Sequence, residues 1–70
     1  MSAPRLGNHL KAARARRGLT QQALADAVGV TRKTVNTVEN AVFVPSALLA
    51  FRLADALDVP VTELFYLEPG

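Results

Sequence analysis

The chain has 70 residues, half of them apolar and 20% charged, with no cysteine. That length gives one domain with no room for a separate sensing or catalytic unit, and the composition excludes a disulfide framework, a thiolate metal site and a disordered tail. Net charge is only +2, yet residues 1–40 hold seven Lys/Arg against Asp26 and Glu39 (net +5), while residues 41–70 hold Arg52 against Asp55, Asp58, Glu63 and Glu68 (net −3); such a split suits either a surface facing a polyanion or helix faces solvated on both sides.

Strand signals are nearly absent, and the periodicity predicts an all-α chain. Leu6, Leu10, Ala13 and Arg17 follow one helical face, and Gly18 is a natural stop, so a first helix is expected from Arg5 to Arg17, its first turn weakened by Gly7. Thr20 is a good N-cap for a second helix over Gln21 to Val28, which Gly29 ends. Thr31 caps a third helix only two residues later. Its inner face is Val35 and Val38, and Arg32, Lys33, Asn36 and Thr37 look outward. Ala41 to Pro45 forms a loop, Ser46 caps a fourth helix built on Leu49, Ala50, Leu53, Ala54 and Leu57, and Val61 to Phe65 is a last short helix.

Two short helices around a tight glycine turn form a helix-turn-helix layout. The residues themselves extend the match. Gly18-Leu19-Thr20-Gln21-Gln22-Ala23-Leu24-Ala25, Val28-Gly29-Val30-Thr31-Arg32-Lys33-Thr34-Val35 and Val38-Glu39-Asn40, with Pro45-Ser46, Leu53-Ala54, Ala56-Leu57 and Glu63-Leu64-Phe65, resemble the Cro and phage-repressor (Xre-like) helix-turn-helix family. The resemblance spans about Asn8 to Phe65. It implies a lambda-repressor-like bundle of four to five helices, a single DNA-binding domain over residues 1–70 with the helix-turn-helix at about 20–40, and a dimerisation segment at about 61–70.

A helix presented by a tight turn enters the major groove, where its first residues reach base edges. Arg32, Lys33, Asn36 and Thr37 are therefore the expected base contacts, the alternative being a solvated helix face. The resemblance assigns Gln21 to a phosphate and to bracing the third helix. Thr31, Thr34, Arg16 and Arg17 complete the expected phosphate contacts, which fix register rather than sequence. The resemblance also implies a structural, buried ion pair between Arg14 and Glu39. Where the family often has glycine after Glu-Asn, this chain has Ala41, so Asn40 is expected to take the left-handed conformation. Val42 replaces a basic or polar residue, which points to modest DNA affinity.

An uncharged stretch runs from Asn40 to Phe51. Val42, Phe43, Val44, Leu48 and Phe51, with Phe65, Tyr66 and Leu67 near the C-terminal end, form the expected dimer interface. Phe43 and Phe51 have the alternative of folding into the core. His9, the lone histidine, is expected on the surface. No Ser–His–Asp set, metal-ligand spacing or phosphate loop is present, so neither an enzyme nor a cofactor is expected. No apolar run approaches the roughly 20 residues of a membrane span, and Met1 to Arg5 lacks a secretory signal's apolar stretch. The expectation is a cytoplasmic transcriptional repressor whose partners are double-stranded DNA and a second copy of itself. The alternative is an antitoxin or anti-repressor that binds another protein through the apolar residues.

Overall fold

Hydroxyl caps set three of the five helix starts in the computed structural model, which describes residues 4–69. The chain order is β1 (Arg5–Asn8), α1 (Leu10–Arg16), α2 (Gln21–Val28), α3 (Arg32–Glu39), α4 (Ala47–Leu57), α5 (Val61–Leu64) and β2 (Phe65–Glu68). Thr20 Oγ1 accepts from Ala23 N–H at 3.0 Å, Thr31 Oγ1 from Thr34 N–H at 3.2 Å and Ser46 Oγ from Leu49 N–H at 3.1 Å. Each cap satisfies a backbone donor that the first helical turn leaves without a partner.

The helix ends are equally regular. Gly18, Gly29, Ala41 and Asp58 all have positive φ, between 55° and 75°. After α1, Leu19 N–H reaches Arg14 O and Gly18 N–H reaches Ala15 O; after α3, Val42 N–H reaches Thr37 O and Ala41 N–H reaches Val38 O. These are Schellman closures, which need a left-handed residue just past the helix. At α3 that residue is Ala41 (φ 58°), whereas Asn40 stays at φ −88°. The expectation for Asn40 is thus corrected: the closure places the left-handed position one residue later, where alanine bears a cost of about 1 kcal/mol relative to glycine.

Every helix contributes to one core. Leu10 and Ala13 meet Leu24, Ala25 and Val28, then Val35 and Val38, and Leu53, Ala54, Leu57 and Leu64 close the other side. Burying each such Leu or Val is worth about 1.5–3 kcal/mol, so Val35 and Val38 fix which face of α3 turns outward.

The N-terminal segment departs from the helix expected to begin at Arg5. Residues Arg5–Asn8 form an antiparallel pair with Phe65–Glu68, in the register Leu6 opposite Leu67 and Asn8 opposite Phe65. The fold is mostly helical with a small two-stranded sheet, not all-α. Asn8 is the reason α1 starts late. Its Oδ1 accepts from Leu10 N–H at 3.0 Å, its Nδ2 donates to Val38 O at 2.9 Å, and His9 N–H donates to Leu64 O at 2.9 Å. Leu6, placed on a helical face by its spacing from Leu10, instead packs against the core from the strand. On the other sheet face the Tyr66 ring covers Gly7 so closely that a methyl group there would overlap it, and the ring stacks on His9 with centroids 4.7 Å apart.

Candidate nucleic-acid interface

Gly29 and Thr31 create the outward presentation of α3. Gly29 turns the chain through the left-handed region at φ 75°, Thr31 caps, and α3 begins at Arg32. Arg32 and Lys33 in this first turn are exposed, and among the described residues neither side chain has a hydrogen-bond or ion-pair partner. Two long cationic donors therefore stand free at a helix start. Arg matches guanine O6 and N7 with its forked donors, and Lys supplies a point charge with donors to the same atoms.

The next turn is more constrained. Asn36 is exposed; Thr37 is half-buried. The Thr37 hydroxyl donates back to the carbonyls of Lys33 and Thr34, both at 3.0 Å. With its hydrogen committed, Thr37 offers a partner only an acceptor lone pair and a methyl group. The Asn40 amide donates to Asn36 O at 2.9 Å and to Asn36 Oδ1 at 3.3 Å.

The far end of α3 is saturated. Arg14 Nε donates to Glu39 Oε2 at 2.6 Å and Nη2 to Oε1 at 3.2 Å, while Nη1 donates to Leu19 O at 2.8 Å. Gln21 Nε2 adds a bond to Glu39 Oε1 at 3.0 Å. The Glu39 side chain is 3% exposed and that of Arg14 is 14%. Burial pushes the Glu39 carboxyl up, but the donors of Arg14 and Gln21, with the charges of Arg14 and Lys11, together hold it below the ordinary carboxylate range. The Arg14 guanidinium is raised by its hydrogen bond to Glu39, against the opposing effect of burial.

The structure brings some of the sequence-selected residues together and separates others. Gln21 opens α2 with one amide hydrogen on Glu39 and the second without a partner among the described residues. Thr31 and Thr34 sit side by side, their hydroxyl oxygens 3.1 Å apart. Arg16 and Arg17, grouped with them by sequence, lie instead beside Leu57, Asp58 and Val59 at the turn between α4 and α5. Val42, Phe43, Val44, Leu48, Phe51, Tyr66 and Leu67 are all exposed, Leu48 by 69% and Phe51 by 61%. Phe65 is not among them. It stands at the start of β2, directly after the buried Leu64, and packs into the core, so its place in the surface set is corrected. The bond from Gln21 to Glu39 ties α2 to α3, the bracing that the resemblance implies for Gln21; the bond from Asn40 to Asn36 had no counterpart in the sequence, although it has the i, i+4 spacing that joins side chains on a helix.

Comparison with known proteins defines the class. Residues 10–64 match the helix-turn-helix family HTH_3. The chain belongs to this family. It is 43% identical over 61 residues, 87% of its length and 92% of the relative's, to the uncharacterized HTH-type transcriptional regulator YgzD of Bacillus subtilis. Among solved structures it resembles the restriction-modification controller protein C.AhdI of Aeromonas hydrophila, with 35% identity, a TM-score of 0.74 and coverage of 77% of this chain and 78% of that one. The transcriptional regulator VanUg shares the fold, at a TM-score of 0.78 and 17% identity, over 100% of this chain and 93% of that one. No described helix is long and apolar enough to cross a membrane.

Proposed function

We propose that the chain is a sequence-specific DNA-binding repressor that recognises a palindromic operator as a homodimer. The observation that carries this is the free pair Arg32 and Lys33 at the start of α3, held outward by a helix packed through Val35 and Val38. In this proposal α3 enters the major groove, Arg32, Lys33, Asn36 and Thr37 meet base edges, and Gln21, Thr31 and Thr34 meet phosphates. Arg16 and Arg17 reach the backbone only at the flank, given their position by the α4–α5 turn. The regulatory names of YgzD and C.AhdI support the same assignment.

The homodimer rests on the exposed apolar side chains. Val42, Val44, Leu48, Phe51 and Leu67 are each more than 60% exposed, an unusual display for so small a chain. Two-fold pairing through the loop before α4, the outer face of α4 and β2 would place two copies of α3 one DNA turn apart, about 34 Å. The same surface favours a second reading, an antitoxin or anti-repressor that docks another protein there.

Selection of bound sequences from random duplexes tests the proposal. A site with a dyad, enriched at low salt, is expected; no preference among duplexes would overturn it. Sedimentation at micromolar concentration should give the mass of a dimer, and Leu48→Glu should shift it to monomer and weaken operator binding without lowering Tm. A wild-type protein that is monomeric both free and on DNA would leave the apolar surface to a different protein partner.

A further inference from the structure

Asn36 on α3 and Asn40, the residue that ends this helix, share a geometry that bears on which base is read. Asn36 and Asn40 are four residues apart, on one helix face, and both are exposed. The Asn40 amide nitrogen turns back onto Asn36, 2.9 Å from its backbone oxygen and 3.3 Å from its Oδ1. The first bond anchors Asn40 to the helix, and the second fixes the neighbouring carboxamide. Asn36 Oδ1 is thereby turned towards Asn40, and Asn36 Nδ2 has no partner among the described residues.

An amide oxygen has two lone pairs, and Asn40 uses one. What remains on Asn36 is a donor beside an acceptor in a set orientation. In the major groove adenine presents the complement, an N7 acceptor beside an N6–H donor. A freely rotating amide would offer its two atoms in either order and lose entropy on choosing one. We infer that Asn40 is a positioning residue that holds the Asn36 amide in the orientation that reads adenine. This rests on α3 as the helix that enters the major groove. Asn40 itself need touch no base; its effect passes through Asn36.

Sequence selection with four proteins tests it, each variant first shown to be folded by its melting curve. The wild type should show adenine at one dyad-related position. Asn36→Ala should lose that preference and keep the others. Asn40→Ala should reduce the preference for adenine by about tenfold, a large part of what a good bidentate pair supplies, with no change at other positions. Asn40→Asp is the decisive variant. Its carboxylate would repel Asn36 Oδ1 and accept from Nδ2, so the amide turns and leads with oxygen. That acceptor favours cytosine N4–H, and the preference at this position should move from adenine to cytosine. A residue with a merely structural role would not switch a base. If both Asn40 variants retain adenine and only weaken all duplexes alike, the inference is overturned and the DNA-binding proposal stands. If Asn36→Ala alters no position, the inference also fails. A wild type that selects no sequence removes the DNA-binding proposal itself, and the inference with it.

Discussion

The two ends of α3 are built in opposite ways. At its start, Arg32 and Lys33 are exposed with no partner among the described residues; at its end, both oxygens of Glu39 are occupied, by two nitrogens of Arg14 and by Gln21. Charge is left unpaired at the exposed start and is neutralised where α1, α2 and α3 converge. Long side chains lose less freedom on binding when the helix beneath them is already fixed. The saturated end thus holds α3 still, and in the DNA-binding proposal the free end meets base edges.

Removing the anchor should have the largest effect. Arg14→Ala leaves the nearly buried Glu39 carboxylate without its main partner, and breaking such a pair should cost about 3 kcal/mol. For a domain of this size that is a fall of roughly 12–24 °C in Tm, readable by thermal denaturation. Acid should act on the same contact. Because folding lowers the pKa of Glu39, its contribution is present above the ordinary carboxylate value of about 4.5 and is lost as pH falls through the lower folded-state value. Glu39→Gln should remove that part of the acid dependence, which melting curves between pH 6 and about 3 would reveal.

At the free end the pattern should reverse. Arg32→Ala or Lys33→Ala should cost about 1–3 kcal/mol in operator binding and relax preference at one base pair, with Tm unchanged. A change in Tm equal to that of Arg14→Ala would erase the distinction between the two ends. The sheet supplies a smaller test. Gly7→Ala forces the Tyr66 ring away from His9 and should cost about 1 kcal/mol, overpacking at its mild limit because the ring end can move. In a Tyr66→Ala background the same substitution should be neutral, a double-mutant cycle with denaturant unfolding as the readout. Smallest is Ala41→Gly, expected to stabilise by a few tenths to about 1 kcal/mol by relieving the left-handed closure of α3.

Local chemistry made much of this legible. Thr20, Thr31 and Ser46 all cap the helices assigned to them, and the residues after Val28 form the turn that Gly29 suggested. The sheet was invisible for a physical reason. Its partners are some sixty residues apart, and the i, i+4 step from Leu6 to Leu10 fits a helix as well as a strand entering one. Asn8 was the missed signal, a short polar side chain whose oxygen satisfies the first free donor of α1. Ala41 was misread because propensity favours Asn in the left-handed region, whereas the Schellman closure fixes that position by count from the last helical residue. Phe65 was misplaced because it adjoins Tyr66 and Leu67 in sequence, whereas only Phe65, next to the buried Leu64 where α5 passes into β2, packs into the core and the two residues after it stay exposed.

The antiparallel clasp between β1 and β2 also carries a kinetic consequence. Its contacts close a loop that contains all five helices, so the chain gives up the entropy of that closure before the strands return any stabilisation. The helix contacts are local by comparison and form on the faster timescale. Folding should therefore end, and local opening begin, at the clasp. Amide hydrogens of residues 5–8 and 65–68 would exchange with solvent well before those of α2 and α3. Each opening would also release the Asn8 bond to Val38 O at the base of α3, so fraying at the sheet would reach the helix that faces outward.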